Sequence, residues 1–297
     1  MRLPPWFDRF MAPGSDRSAE LARALEARGV AARTLELSGG RFVAAWPKEG
    51  LRDPRYRIKV VTAHHDRVPG TPGALDNSAA CLQLVDFLSE SRGAFNTLVI
   101  FTDREELGSA RPARPDGPGA ARQGSFELGK AFSGMDIGSP MVFPLDVTGR
   151  GDALVLSRAS ETLAARADGA LRRSAVERVA AETDAMACSA ARLMAGRAPV
   201  LRAAVPFGED LGFMLAGVPA LTVTVLPRAE AEALAGLGTL PAWASLAEPG
   251  DRAPGTWSRL HGPDDTVDQY GDEAFGVVSR FLARLAAWRA PSSVGRR

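Results

Sequence analysis

The chain has three histidines, at positions 64, 65 and 261, and two of them adjoin an acid in the run Ala63-His64-His65-Asp66. An imidazole beside a carboxylate can ligate a metal, move protons or simply sit hydrogen-bonded in a core. A lone histidine is most often the last of these. Here the surrounding run, RIKVVTAHHD, is an apolar strand that turns polar at its end. Side chains two apart on a strand share a face, so His64 and Asp66 point one way and His65 the other. Asp66 is thereby placed to accept a hydrogen bond from the His64 ring and orient it.

Further clusters follow in order. Asp76, Asn77 and Ser78 close the turn-rich run PGTPGALDNS. Taken alone they read as the N-terminal cap of a helix. Asp103, Arg104, Glu105 and Glu106 follow the apolar strand TLVIF. Adjacent glutamates are common on solvated surfaces, but ligand sites in open α/β sheets gather beyond the carboxyl ends of strands. Asp146 follows MVFPL, and His261 lies in RLHGPDDT, just before the last helical run. Together these positions supply two imidazoles and at least three carboxylates, a nitrogen and oxygen set suited to zinc and also to cobalt or manganese. Two such ions, about 3.5–4 Å apart, can share one carboxylate and a water. The chain has no Gly-x-Ser-x-Gly elbow for a nucleophilic serine.

The elements that must position these residues alternate in type. Residues 17–28 have helical spacing, with Gly29 as a stop. TLEL (34–37) and FVAAW (42–46) are strand-like, as are 97–103, 141–147, 153–157 and 220–226. Helical patterns cover 79–91, 159–195 and 271–288, the last a capped amphipathic helix. The Pro-, Gly- and Arg-rich stretch 109–123 reads as an inserted loop. Strands alternating with helices predict a three-layer α/β fold, a mixed but mostly parallel twisted sheet between helices. With no repeat and no linker, one domain over residues 1–297 is expected.

Bulk composition narrows the function. The chain carries 36 basic and 35 acidic residues, a net charge of +1. No charge excess points to nucleic acid or to an anionic membrane. No apolar run approaches the roughly 18–20 residues of a membrane span, and the first residues lack the apolar core of a signal peptide. A cytoplasmic location is therefore expected. Cys81 and Cys188 lie far apart in helix-like stretches and read as buried free thiols.

In order and context these motifs resemble the co-catalytic zinc aminopeptidases, the group of bacterial leucyl aminopeptidase, aminopeptidase Y and glutamate carboxypeptidase II. The residues that carry the resemblance are AHHD, GALDNSA, DREELGS, PLDVTG, GEDLGFMLAGVPAL and RLHGPDDT, spread over residues 57–285. The resemblance implies a zinc-exopeptidase fold, two zinc ions and a peptide or aminoacyl substrate. It implies that His64 and Asp146 bind one ion, Glu106 and His261 the other, and that Asp76 bridges them. Glu105 would be the general base, taking a proton from a metal-bound water and passing it to the leaving amine. Asp66 would orient His64, and Asp210 would support the site.

The chain departs from the family pattern at several places. Leu75 stands where an acid is common, Glu209 replaces the serine before Asp210, and Gly262 replaces the threonine after His261. Gly124-Ser125 comes late after the glutamate pair, behind the 109–123 stretch. Pocket shape depends on segments 109–140 and 228–258, which have no readable pattern; the second, a helix and a Trp-bearing loop, could line the pocket, but packing is its expected role. Two other functions compete. Glutaminyl cyclases share the fold with a single zinc, and the SAAC run after Asn77 is similar to theirs. A non-catalytic metal-binding domain would be expected to lack the base or a ligand.

Overall fold

A computed structural model of the protein describes residues 2–106, 123–165, 170–237 and 255–292. The inserted stretch 109–123, Gln123 excepted, lies outside them. The described strands are β1 (Ala32–Leu37), β2 (Gly40–Ala45), β3 (Glu49–Leu51), β4 (Lys59–His64), β5 (Arg92–Phe95), β6 (Thr97–Thr102), β7 (Met141–Pro144), β8 (Ala153–Ser157), β9 (Val200–Ala203) and β10 (Val223–Leu226). The described helices are α1 (Pro5–Met11), α2 (Arg17–Glu26), α3 (Ala79–Glu90), α4 (Gly124–Ala131), α5 (Ala159–Ala165), α6 (Ala170–Met194), α7 (Glu209–Leu215), α8 (Arg228–Ala235) and α9 (Asp272–Ala287).

Every residue of β4 and β6 is buried, which suits their rich content of Val, Ile, Phe and Thr. They pair in parallel, with His64 opposite Thr102, and β7 runs parallel on the other side of β4. The β1–β2 hairpin adds two antiparallel strands beyond β6. Parallel bridges from Val142 to Ala220 and from Leu145 to Val223 carry the sheet on to β10, β8 and β9. The sheet is therefore mixed, and its three central strands all end on one edge.

Alternate residues of those strands feed two different cores. Val61, Val99, Phe101 and Phe143 pack with α1, α2, α3 and α9, whereas Val60, Leu98, Ile100 and Val142 pack with α4, α5 and α7. This period of two places helices on both faces and makes the three layers. In α9, Ala274, Val277, Val278, Phe281, Leu282 and Leu285 recur at helical spacing and are buried. Burying each of the larger ones is worth about 1.5–3 kcal/mol. Lys59 opens β4 fully buried, and its ammonium donates to the carbonyl oxygen of Trp288 at the end of α9.

Three expectations are corrected here. Ser78 precedes α3 without a side-chain capping bond; its hydroxyl donates to Gly73 O at 2.5 Å, and Asp76 faces elsewhere. Nor does α9 have a side-chain cap, because Gly271 stands at its N-terminus. Cys81 is buried, but Cys188 is exposed on the outer side of α6. Its helical spacing told nothing about which face meets solvent. No described helix is long and apolar enough to cross a membrane.

Candidate active site

The shared edge of β4, β6 and β7 gathers the polar residues. Ladder hydrogen bonds continue past the strand ends: His65 N to Thr102 O at 2.8 Å, Leu145 N to Thr62 O at 2.8 Å and Asp146 N to Val223 O at 3.1 Å. His64 and Asp146 are thus held by the sheet itself. After β6 the chain turns sharply, with Arg104 left-handed at φ +67°. The Asp103 carboxylate builds that turn, accepting from Arg104 N and Arg41 N at 2.8 Å each. Val147, after Asp146, and His261 are also left-handed, at φ +53° and +59°. Non-glycine residues in this region cost about 1–3 kcal/mol each and cluster at functional sites.

The five residues implied as ligands come together. His64 Nε2 lies 3.0 Å from Asp76 Oδ1 and 3.7 Å from Asp146 Oδ1. His261 Nε2 lies 3.0 Å from Asp76 Oδ2 and 3.4 Å from Glu106 Oε1. Asp76 therefore offers one oxygen to each imidazole. Ligand atoms around a tetrahedral zinc, each at about 2.0–2.2 Å, are themselves about 3.3–3.6 Å apart. One atom each from His64, Asp76 and Glu106 lies within 4.8 Å of the others. His64 Nε2, Glu106 Oε1 and Asp146 Oδ1 are buried without a well-angled hydrogen bond. Buried polar atoms that converge without hydrogen-bonding fit cation ligands, and the donor set suits zinc.

The crowding of acids also sets the electrostatics of the cluster. Burial alone would lower His64, but Asp146, Asp66 and Asp76 hold it well above its usual value. Asp76 and Glu106 raise His261 to about 11. Burial opposes ionisation of Asp76, yet His261 and His64 hold it below the usual carboxylate range. Glu105 is raised well above that range, by burial first and then by Glu106, Asp146 and Asp76. A carbon added to Gly208 would meet Asp146 Oδ2 at 3.1 Å and Glu105 Oε1 at 3.6 Å, so both carboxylates close on the backbone before α7.

Around these lies a supporting shell. Asp66 Oδ1 is 3.5 Å from His64 Nδ1, closer to ion pairing than to the expected hydrogen bond, and the ring nitrogen also meets Asp66 O at 3.3 Å. Asp66 Oδ2 accepts from Glu106 N at 2.9 Å, tying the two strand ends together. His65 points away, its ring meeting Arg41 O at 2.7 Å. Asp210 is fully buried and accepts from Gly208 N at 3.2 Å, holding the start of α7. Glu209 is buried too; Thr62 Oγ1 donates to its Oε2 at 3.1 Å, and burial pushes it up to about 7. Trp257 packs on the cluster of Val155, Val205, Leu226 and Leu234.

Two supporting residues were missed in the sequence. Arg17 Nη2 donates to Ser78 Oγ at 2.6 Å from beneath the Asp76 turn, with its guanidinium 4.0 Å from the Phe10 ring centre. Nothing in the helical spacing of 17–28 marked it. Asp265 accepts from the amides of Leu75 and Asp76. Its place four residues after His261, within the same motif, was the available signal.

The late Gly124-Ser125 returns to the turn that precedes it. Gly124 N donates to Arg104 O at 3.3 Å, and a Cβ on Gly124 would fall 1.9 Å from Asp103 O. Ser125 packs against Gly212 of α7, where an added Cβ would lie 2.1 Å from its Oγ. Gly124→Ala is expected to displace the Asp103 carbonyl, costing about 1–3 kcal/mol of stability as overpacking does. It should also lower activity, because Glu105 and Glu106 leave from that turn. Denaturant unfolding checks this against Gly134→Ala, a site with nothing within 4 Å of the added carbon. Equal midpoints for the two variants would contradict it.

A profile of peptidase family M28 matches residues 43–286. No curated protein matches the chain. Among solved structures, the Legionella pneumophila LapA aminopeptidase aligns at 14% identity and TM-score 0.62, over 95% of this chain and 69% of its own. A glutaminyl cyclase of Bacteroides thetaiotaomicron aligns at 16% identity and TM-score 0.60, over 95% and 93%. A Zn-dependent exopeptidase of Parabacteroides distasonis aligns at 14% and 0.55, over 95% and 96%. At such identities these structures speak for the fold, a mixed sheet between helices, and the profile speaks for the family. Because that profile spans well over half of the chain, the protein belongs to peptidase family M28 and is a zinc metallopeptidase.

Proposed function

We propose that the protein is an aminopeptidase that holds two divalent ions, zinc foremost, and removes the N-terminal residue of a peptide. The observation that carries this reading is Asp76, whose two oxygens each lie 3.0 Å from a different imidazole. His64 and Asp146 would hold one ion, Glu106 and His261 the other, and Asp76 both. Bound there, the ions would lower the pKa of a water towards about 7 and polarise the scissile carbonyl.

The chain's own residues do the rest. Glu105 takes the proton of the attacking water at a carboxylate oxygen and returns it to the nitrogen of the leaving amine. Asp66 keeps His64 in one ring orientation through Nδ1. Gly208, lacking a side chain, leaves room beside Glu105 and Asp146.

The test is hydrolysis of a panel of aminoacyl chromogenic substrates, with and without chelator. Activity should vanish with chelator and return with zinc or cobalt, and N-terminally blocked peptides should resist. Hydrolysis indifferent to chelator would end the reading.

Two observations favour a second reading, a cyclase acting on N-terminal glutamine with one zinc. The glutaminyl cyclase matches nearly end to end, and His64, Asp76 and Glu106 form the compact trio among the described residues. One tightly held ion per chain together with cyclisation would decide for it.

A further inference from the structure

Asp265 closes the His261 motif, yet its carboxylate binds backbone. It is 1% exposed, and its Oδ1 accepts from Leu75 N at 2.5 Å while Oδ2 accepts from Asp76 N at 3.4 Å. Its carbonyl oxygen accepts from Ala74 N at 3.2 Å, and its amide donates to Gly262 O at 3.3 Å, closing the turn that starts at His261. Tyr270, a few residues on, adds a bond from its hydroxyl to Ala74 O at 2.8 Å. Two loops distant in sequence are thereby fastened as one piece.

The two halves of the site differ in what holds them. His64 and Asp146 are anchored by ladder hydrogen bonds of the sheet. His261 stands on a loop, left-handed, with its side chain 46% exposed. Its ring meets Asp76 Oδ2 at 3.0 Å, and what fastens its loop to the Asp76 backbone is the clamp that Asp265 makes.

We propose that Asp265 is a positioning residue for the metal subsite of Asp76, Glu106 and His261, fixing the His261 loop against the Asp76 backbone. This rests on the two-ion reading above. Partners of this kind, outside the ligands themselves, typically change metal affinity by about 10- to 100-fold when replaced. Asn at 265 would keep one acceptor oxygen and turn an NH2 towards the other amide, so the clamp should half-open without leaving a cavity.

The experiment is a cobalt(II) titration of the metal-free protein, wild type and D265N. Visible absorption of the bound ion reports geometry, and equilibrium dialysis counts ions. Wild type should take up two ions. D265N should bind the first unchanged and the second about 10- to 100-fold more weakly, with an altered spectrum for that step. Two unchanged steps, or two weakened equally, overturn the proposal, since equal weakening is what general loosening gives. If D265N melts before it can be loaded, D265S, which keeps a single acceptor, is judged by the same criterion. A wild type that takes only one ion overturns the two-ion reading instead. Asp265 is then judged on that ion, and unchanged affinity in D265N overturns its role.

Discussion

Glu105→Gln should lower turnover by about 10²- to 10⁴-fold, the usual share of a general acid–base group. Gln fills the same space and still hydrogen-bonds, but it cannot take up a proton. Metal content and KM are therefore expected to stay at wild-type values, and the melting temperature should not fall. The prediction is specific because Glu105 differs from its neighbours: His64 and Glu106 sit at ion-pair distances within the ligand cluster, whereas Glu105 faces the Gly208 backbone beside Asp146. A general base at position 105 should also give the wild-type pH profile an acidic limb in kcat/KM that is lost from the residual activity of the variant. Turnover within a few-fold of wild type would remove Glu105 from the mechanism.

Asp76→Ala should be the more damaging change, because it acts on both halves of the site. Each oxygen of Asp76 faces its own imidazole, so on the two-ion proposal removing the carboxylate would deprive both ions of a ligand. Affinity for both should fall by more than the roughly 100-fold upper range of an outer partner, and activity should drop to background. Asp146→Ala and His261→Ala should each weaken one ion and spare the other. Metal analysis after dialysis, with circular dichroism to confirm the fold, separates these patterns. A D76A protein that keeps either ion at wild-type affinity would show that Asp76 does not bridge.

Much of this arrangement was legible in the chain. The apolar runs that end in AHHD, TDREE and PLD became β4, β6 and β7, and parallel pairing made their ends neighbours. Period-two alternation could not reveal the antiparallel β1–β2 edge, because the sense of pairing leaves no mark on side-chain pattern. The turn at Asp76 read as a helix cap because aspartate, asparagine and serine before an apolar run fit that role equally well. The motif marked Asp265 itself, but the partners of its clamp were hidden for a different reason. The clamp joins a side chain to backbone amides 189 and 190 residues away, and amides look alike at every position. Glu209 was seen only as a departure. Its burial against Thr62 depends on where α7 lands on the sheet, which no local pattern encodes.

The order of the ligands along the chain has a consequence for synthesis. His261 is made last of the five, after every described strand of the sheet. Domains tend to fold from the N-terminus as they emerge from the ribosome, so the sheet can assemble before His261, a proposed ligand, has been made. On the ligand reading proposed above, the metal site would be completed only after the strands that carry its other residues.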